Sequence, residues 1–182
     1  MQPTDSLRNG IAKLADTHHC LFASQDLRAL LPQATDAAFK TLLSRLVAQG
    51  LLTRMCRGLY VYERAMPDGS LLLFHAAARL RADAFNYISL ETALSAAGLI
   101  SQQPMQWVSI MSSGRSSVVR CSRWGTVEFV HTDQKPADIA AQLHYDNACH
   151  LWRASAAQAM RDMRVTRRSL DLMDVSDLHE PV

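Results

Sequence analysis

The sequence predicts an α+β fold class, and three observations predict it. Three stretches with helical spacing of apolar residues fill most of the first fifty positions. A run rich in β-forming residues, split by an Arg-Gly pair, follows them directly. Beyond a Pro67-Asp68-Gly69-Ser70 turn signal, short helical and strand patterns mix, and from Gln106 onward β-forming runs dominate.

The elements follow in order. Leu7, Ile11, Leu14 and Ala15 recur at helical spacing and predict a first amphipathic helix over residues 5–16. A short link follows, strand-like at Leu21-Phe22. Ser24 is placed to cap a second helix that carries Leu27, Leu30 and Leu31 and stops at Pro32, because proline lacks the amide a helix interior needs. Thr35 or Asp36 caps the third helix, whose apolar set is Phe39, Leu42, Leu43, Leu46 and Val47. Gly50 is suited to the left-handed conformation that closes it. Residues 51–62 then predict a hairpin with its tip near Cys56 to Gly58. Three helices and a two-stranded hairpin form the winged helix-turn-helix plan, with the third helix as recognition helix and the hairpin as wing.

The turn signal divides the chain into residues 1–66 and residues 67–182. The second part is expected to be a mixed α+β domain with a small antiparallel sheet. Helices are expected at 71–81, from Ser89 to Gly98, at 136–143 and at 155–163, with a last turn at 169–173. Strands are expected at 86–88, 107–111, 117–123 and 126–131, with Ser112-Ser113-Gly114 as a hairpin turn.

Composition narrows the function classes. With 48% apolar and 20% charged residues in 182, the chain can bury a core and is not disordered by composition. Its apolar runs are a few residues long, too short to span a membrane, and the N-terminus carries no export signal, so a cytoplasmic protein is expected. Cys20, Cys56, Cys121 and Cys149 are far apart in sequence and read as reduced thiols rather than a zinc ribbon. Residues 1–64 hold eight Lys and Arg against five Asp and Glu, whereas the remainder is nearly balanced. A polyanion is therefore expected to bind at the N-terminal end.

The third helix and the hairpin supply the candidate contacts. A major groove accepts one helix and is read by side chains from its exposed face. Thr35 starts that helix, and Lys40, Thr41, Ser44 and Arg45 lie on its polar side. Arg54 and Arg57 sit on the hairpin, where a wing meets backbone phosphates or the minor groove, and Gly58 permits the positive φ of the turn. The competing reading is a solvated helix face and a surface hairpin.

Enzyme signatures are missing. The Ser-rich run at 112–117 lacks the spacing of a phosphate loop, and no nucleophile elbow, zinc-protease motif or close carboxylate pair occurs. His18-His19-Cys20 has no second cluster with ligand spacing, so no metal or other cofactor is expected. Arg164, Arg167 and Arg168 read as a solvated helix end or a further partner contact.

Three segments together resemble the AbiEi family of antitoxins from type IV toxin–antitoxin systems. The hairpin Leu51-Leu52-Thr53-Arg54-Met55-Cys56-Arg57-Gly58-Leu59-Tyr60 is similar to the family's G-x-hydrophobic-x-R-x-x-R-G-x-Y signature. Residues 87–100, from Tyr87-Ile88-Ser89 to Gly98-Leu99-Ile100, are similar to its Y-hydrophobic-S-x-x-S/T-A-L-x-x-x-G-L-I stretch. Residues 154–163 resemble an A-S-x-x-x-A-hydrophobic-x-D helix ending on Asp162, with Ala156-Ala157 where Pro and Glu are common.

The resemblance implies an N-terminal winged helix that represses its own operon at promoter repeats. It also implies a C-terminal domain that counters a nucleotidyltransferase-like toxin, often without a stable complex. It places DNA contacts on the third helix and on Arg54, Arg57 and Gly58, and names no catalytic residue. The expected function is thus a DNA-binding autoregulator and antitoxin, not an enzyme. The alternative is a winged-helix module that binds a toxin or another protein without specific DNA binding.

Overall fold

The structure, a computed structural model, describes residues 3–66, 71–101 and 106–169. It is a mixed α+β protein with two compact units: Met1–Gly69 with Cys121–Trp124, and Ser70–Arg120 with Gly125–Val182. The Pro67 to Ser70 turn signal and the expected last turn at 169–173, beyond Ser169, lie outside the described residues.

The first unit runs α1 (Pro3–Leu14), β1 (Leu21–Ala23), α2 (Ser24–Ala29), α3 (Asp36–Ala48), β2 (Thr53–Cys56) and β3 (Leu59–Val61). Its strands form an antiparallel sheet in the order β1-β3-β2. Leu7 and Ile11 of α1, Leu27 of α2, and Phe39, Leu43 and Leu46 of α3 share one core with Phe22, Leu51, Leu52 and Tyr62. The i, i+3, i+4 spacing that predicts α3 is the spacing of its buried face. Ser24 does not cap α2. The Asp26 carboxylate instead reaches back to accept from the Ala23 amide at 2.8 Å, and the Ser24 amide donates to the Gly58 carbonyl at 2.9 Å. That second bond ties the start of α2 to the hairpin turn.

The second unit runs α4 (Leu72–Leu80), β4 (Asn86–Ile88), α5 (Leu90–Ala96), β5 (Trp107–Ser112), β6 (Ser117–Arg120), β7 (Thr126–His131), α6 (Pro136–Ile139), β8 (Leu143–Asp146), β9 (Leu151–Ala154) and α7 (Ala156–Val165). The small antiparallel sheet expected from sequence is corrected to a six-stranded mixed sheet in the order β6-β7-β5-β4-β9-β8. β5 pairs parallel with β7, and β4 pairs parallel with β9.

Two local errors account for the difference. The Ser112-Ser113-Gly114 segment is not a hairpin turn, because β5 and β6 both pair with β7 rather than with each other. A Ser/Gly turn between two strand-forming runs looks the same whether the strands pair or cross over. β8 and β9 were not expected at all. They have four residues each, and their alternation is too short to stand out beside the Ala-rich segment before them. The helix expected over 136–143 accordingly ends early, with a 3-10 turn at Ala140–Gln142 leading into β8. β6 ends at Arg120, before the left-handed Ser122 (φ 51°) and a 3-10 turn at Ser122–Trp124.

The core of this unit contains a polar cluster. Asp162 of α7 is fully buried and accepts four hydrogen bonds from neutral donors. Ser89 Oγ donates at 2.6 Å and Tyr87 Oη at 3.1 Å to one carboxylate oxygen; Gln158 Nε2 at 2.8 Å and Gln134 Nε2 at 2.9 Å donate to the other. A carboxylate offers about four acceptor sites, so this one is saturated. Burial and the neighbouring Asp162 charge push the Tyr87 phenol well above its ordinary pKa. Tyr87, Ser89 and Asp162 come from the second and third resembling segments, which therefore meet in the folded chain.

Candidate nucleic-acid interface

α3 begins where the sequence says it should. Thr35 is its N-cap, and Thr35 Oγ1 accepts from the Ala38 amide at 3.3 Å. Arg28 fixes the approach to it. Its guanidinium donates to the carbonyls of Leu31 and Ala34, lies 3.6 Å from the Asp36 carboxylate and covers the Phe39 ring at 5.5 Å. Sequence reasoning missed this residue, because its partners are backbone carbonyls in a turn that local pattern does not reveal.

Ala37, Lys40, Thr41, Ser44 and Ala48 are all exposed, and their i, i+3, i+4, i+7, i+11 spacing puts them on one stripe opposite the buried face. Arg45 is exposed on the flank of that stripe. The two hydroxyls are turned onto their own helix: Thr41 Oγ1 donates to the Ala37 carbonyl at 2.9 Å, and Ser44 Oγ donates to the Lys40 carbonyl at 3.0 Å. Each hydroxyl has one proton, so what remains for a partner is acceptor capacity and, for Thr41, a methyl group. The alanines of the stripe project little beyond the backbone, which lets a partner approach closely.

The hairpin carries the other candidates. Met55, Leu59 and Val61 are buried, while Arg54 and Arg57 are exposed. Arg54 pairs in register with Tyr60, and a bulge separates it from Cys56. Gly58 has φ +77° and forms the turn with Arg57. This left-handed conformation favours glycine. The Arg54 guanidinium makes one bond to its own hairpin, at 3.4 Å to the Cys56 carbonyl. Contact with the Cys121 thiol, aided by the Arg54 charge, holds the Cys56 thiol below its ordinary pKa against the opposing effect of burial.

Thr35, Lys40, Thr41 and Ser44 are thus brought together along one helix, with Arg45 beside them. Arg54, Arg57 and Gly58 form a second group on the hairpin of the same unit. Lys40, Arg45, Arg54 and Arg57 form no ion pair among the described residues. Arg153 and Arg123 are engaged, with Asp146 at 2.8 Å and Glu63 at 2.7 Å, whereas Arg64, Arg115, Arg120, Arg164 and Arg167 are exposed and likewise form no ion pair among the described residues.

Of the late basic cluster, Arg164 and Arg167 are exposed, as a solvated helix end requires, and only Arg168 departs from that expectation. It donates to Glu91 Oε1 at 3.0 Å and Oε2 at 2.9 Å and also to Glu128, closing an ion-pair network within the second unit. In the His18-His19-Cys20 segment, His19 stacks on Phe22 with ring centroids 4.8 Å apart, and Cys20 is buried. Among the described residues, no group of three or more His, Cys, Asp or Glu side chains is arranged to hold a metal, and no helix is long and apolar enough to cross a membrane. No family model matches the chain, and no curated protein matches it.

Proposed function

We propose that residues 1–66 form a winged helix-turn-helix domain that binds duplex DNA, and that the protein is a cytoplasmic transcriptional autoregulator and antitoxin of the AbiEi kind, opposing a nucleotidyltransferase-like toxin. The observation that carries this reading is the state of the cations. Lys40 and Arg45 on α3, and Arg54 and Arg57 on the hairpin, are exposed without a carboxylate partner among the described residues. Cations that the fold does not use are the groups that can neutralise phosphates.

The roles divide by chemistry. α3 enters the major groove, with Lys40 and Arg45 reaching phosphates or guanine edges. The acceptor-only hydroxyls of Thr41 and Ser44 suit donors such as the amino groups of cytosine and adenine. Arg54 and Arg57 meet backbone phosphates or the minor groove, which sets position rather than sequence. The resemblance of the 87–100 and 154–163 segments supports the antitoxin part, because their marker residues Tyr87, Ser89 and Asp162 form one buried cluster.

The test is binding of the purified protein to the duplex upstream of its own reading frame, against a scrambled duplex, at two salt concentrations. Preference for the upstream duplex, weakening with salt, is the expected result. Equal or absent binding at both salts would overturn the DNA-binding reading and favour a protein-binding module.

A further inference from the structure

The second unit contains a cleft of about 230 Å³ with walls that include Phe85, Asn86, Tyr145, His150 and Trp152. Tyr145 and Trp152 face each other across the β8–β9 ladder and pack edge to face, with centroids 5.5 Å apart and ring planes at 73°. They remain 47% and 43% exposed, so a large aromatic surface stays wet beside a concavity. His150 adopts a left-handed backbone, φ 55°, at the same wall. No carboxylate among the described residues lines the cleft.

Asn86 gives a second, independent observation. It is 6% exposed, and its Nδ2 donates to the carbonyls of Arg81 at 2.6 Å and Ala84 at 2.8 Å. Those two bonds fix the orientation of the amide, since a flip would set its oxygen against two carbonyls. Its Oδ1 is left buried with no hydrogen-bond partner among the described residues. A buried acceptor without a donor is uncommon in a native fold, because it loses its water without replacement.

We propose that this cleft binds a purine base, stacked on the face of Trp152 with the Tyr145 ring standing steeply to it, and with an N–H of the base donated to Asn86 Oδ1. The volume falls below the 300–1,000 Å³ of ordinary drug-sized pockets, which suits one fused heteroaromatic ring with its sugar outside. Aromatic side chains stack on any base through its π-face. The donor requirement follows from Asn86, and reaching its covered oxygen entails a local side-chain movement at the wall. Arg81, the one arginine among the described residues lining the cleft, is engaged with Ser112 and Ser117 and lies 4.1 Å from the Phe129 ring centre. Binding therefore rests on stacking and one hydrogen bond rather than on phosphate contact, and salt has little effect on it.

The experiment titrates the full chain with adenosine, N6,N6-dimethyladenosine and a short oligo(dA) strand by calorimetry. Adenosine is expected to bind saturably, and Trp152→Ala is expected to weaken it about tenfold. Trp152 is half exposed, so the variant should fold; an unchanged circular dichroism spectrum checks this. Dimethylation removes the amino donor and should weaken binding about fivefold or more. Oligo(dA) binding more tightly than adenosine identifies a base in a single strand as the source; the reverse identifies a free nucleoside. No saturable adenosine binding at millimolar concentration, or binding indifferent to both Trp152→Ala and dimethylation, would overturn the proposal.

Discussion

In the first unit the core around Leu46 consists of aliphatic and aromatic side chains, and the hydroxyls and cations of α3 and the hairpin lie at the surface. In the second unit Asp162, Gln158 and Ser89 are fully buried and bonded to one another through the carboxylate of Asp162. The contrast separates two uses of polarity. A surface cation that the fold leaves unpaired costs little to change and is available to a partner. A buried polar cluster restricts how β4, α5 and α7 can meet, because any other arrangement strands a polar group away from water.

The largest effect that would sharpen this contrast is Asp162→Ala. It would leave the buried hydroxyls of Tyr87 and Ser89 without their acceptor and take one acceptor from each of the Gln134 and Gln158 amides, and is expected to destabilise by about 3 kcal/mol. Urea unfolding monitored by tryptophan fluorescence reads it. A loss under 1 kcal/mol would mean that the cluster does not hold these elements together.

The next effect is pH dependence at the β8–β9 hairpin. Burial alone would raise the Asp146 pKa, but Arg153 and the Cys149 amide outweigh it and hold the carboxyl at about 2. Its ordinary value is about 3.9. A depressed folded-state pKa contributes stability above the unfolded value and loses it as pH falls. The loss should therefore run from about pH 4 to pH 2 and amount to about 2 kcal/mol. Denaturant midpoints across that window should fall in the native protein and stay flatter in Arg153→Ala.

In the first unit the expected effects are smaller. Thr35→Ala removes the N-cap of α3 and should cost about 1 kcal/mol in the same unfolding assay. The thiols give a contrast that needs no unfolding. Cys56 is held below its ordinary pKa, whereas burial and the Asp146 charge push Cys149 up to about 11 and burial raises Cys20. Because the thiolate is the nucleophile, iodoacetamide at pH 8 should label Cys56 before Cys149 and Cys20. Peptide mass spectrometry over a time course reads the order, and faster labelling at Cys149 would contradict it.

The comparison also explains what could be read from sequence. The helices and hairpin of the first unit were legible because their signals are local: Phe39, Leu42, Leu43 and Leu46 define a face within eight residues, and Arg57-Gly58 marks its own turn. Arg28 was not legible, since its role depends on where two carbonyls fall. In the second unit the runs at 86–88, 107–111 and 126–131 announced strands but not their partners, so the parallel pairs were missed. Four-residue β8 and β9 carry too little periodicity to register. The Asp162 cluster joins residues more than seventy positions apart, which no window of spacing can connect.

The measurement that tests the DNA-binding account most directly is the salt dependence of duplex affinity for the native protein and Arg57→Ala. The substitution should leave stability within about 0.5 kcal/mol, because Arg57 is exposed and forms no ion pair among the described residues. The account predicts weaker binding to any duplex and a log–log salt slope shallower by about one unit, the signature of one lost phosphate contact. An unchanged slope with unchanged affinity would contradict it.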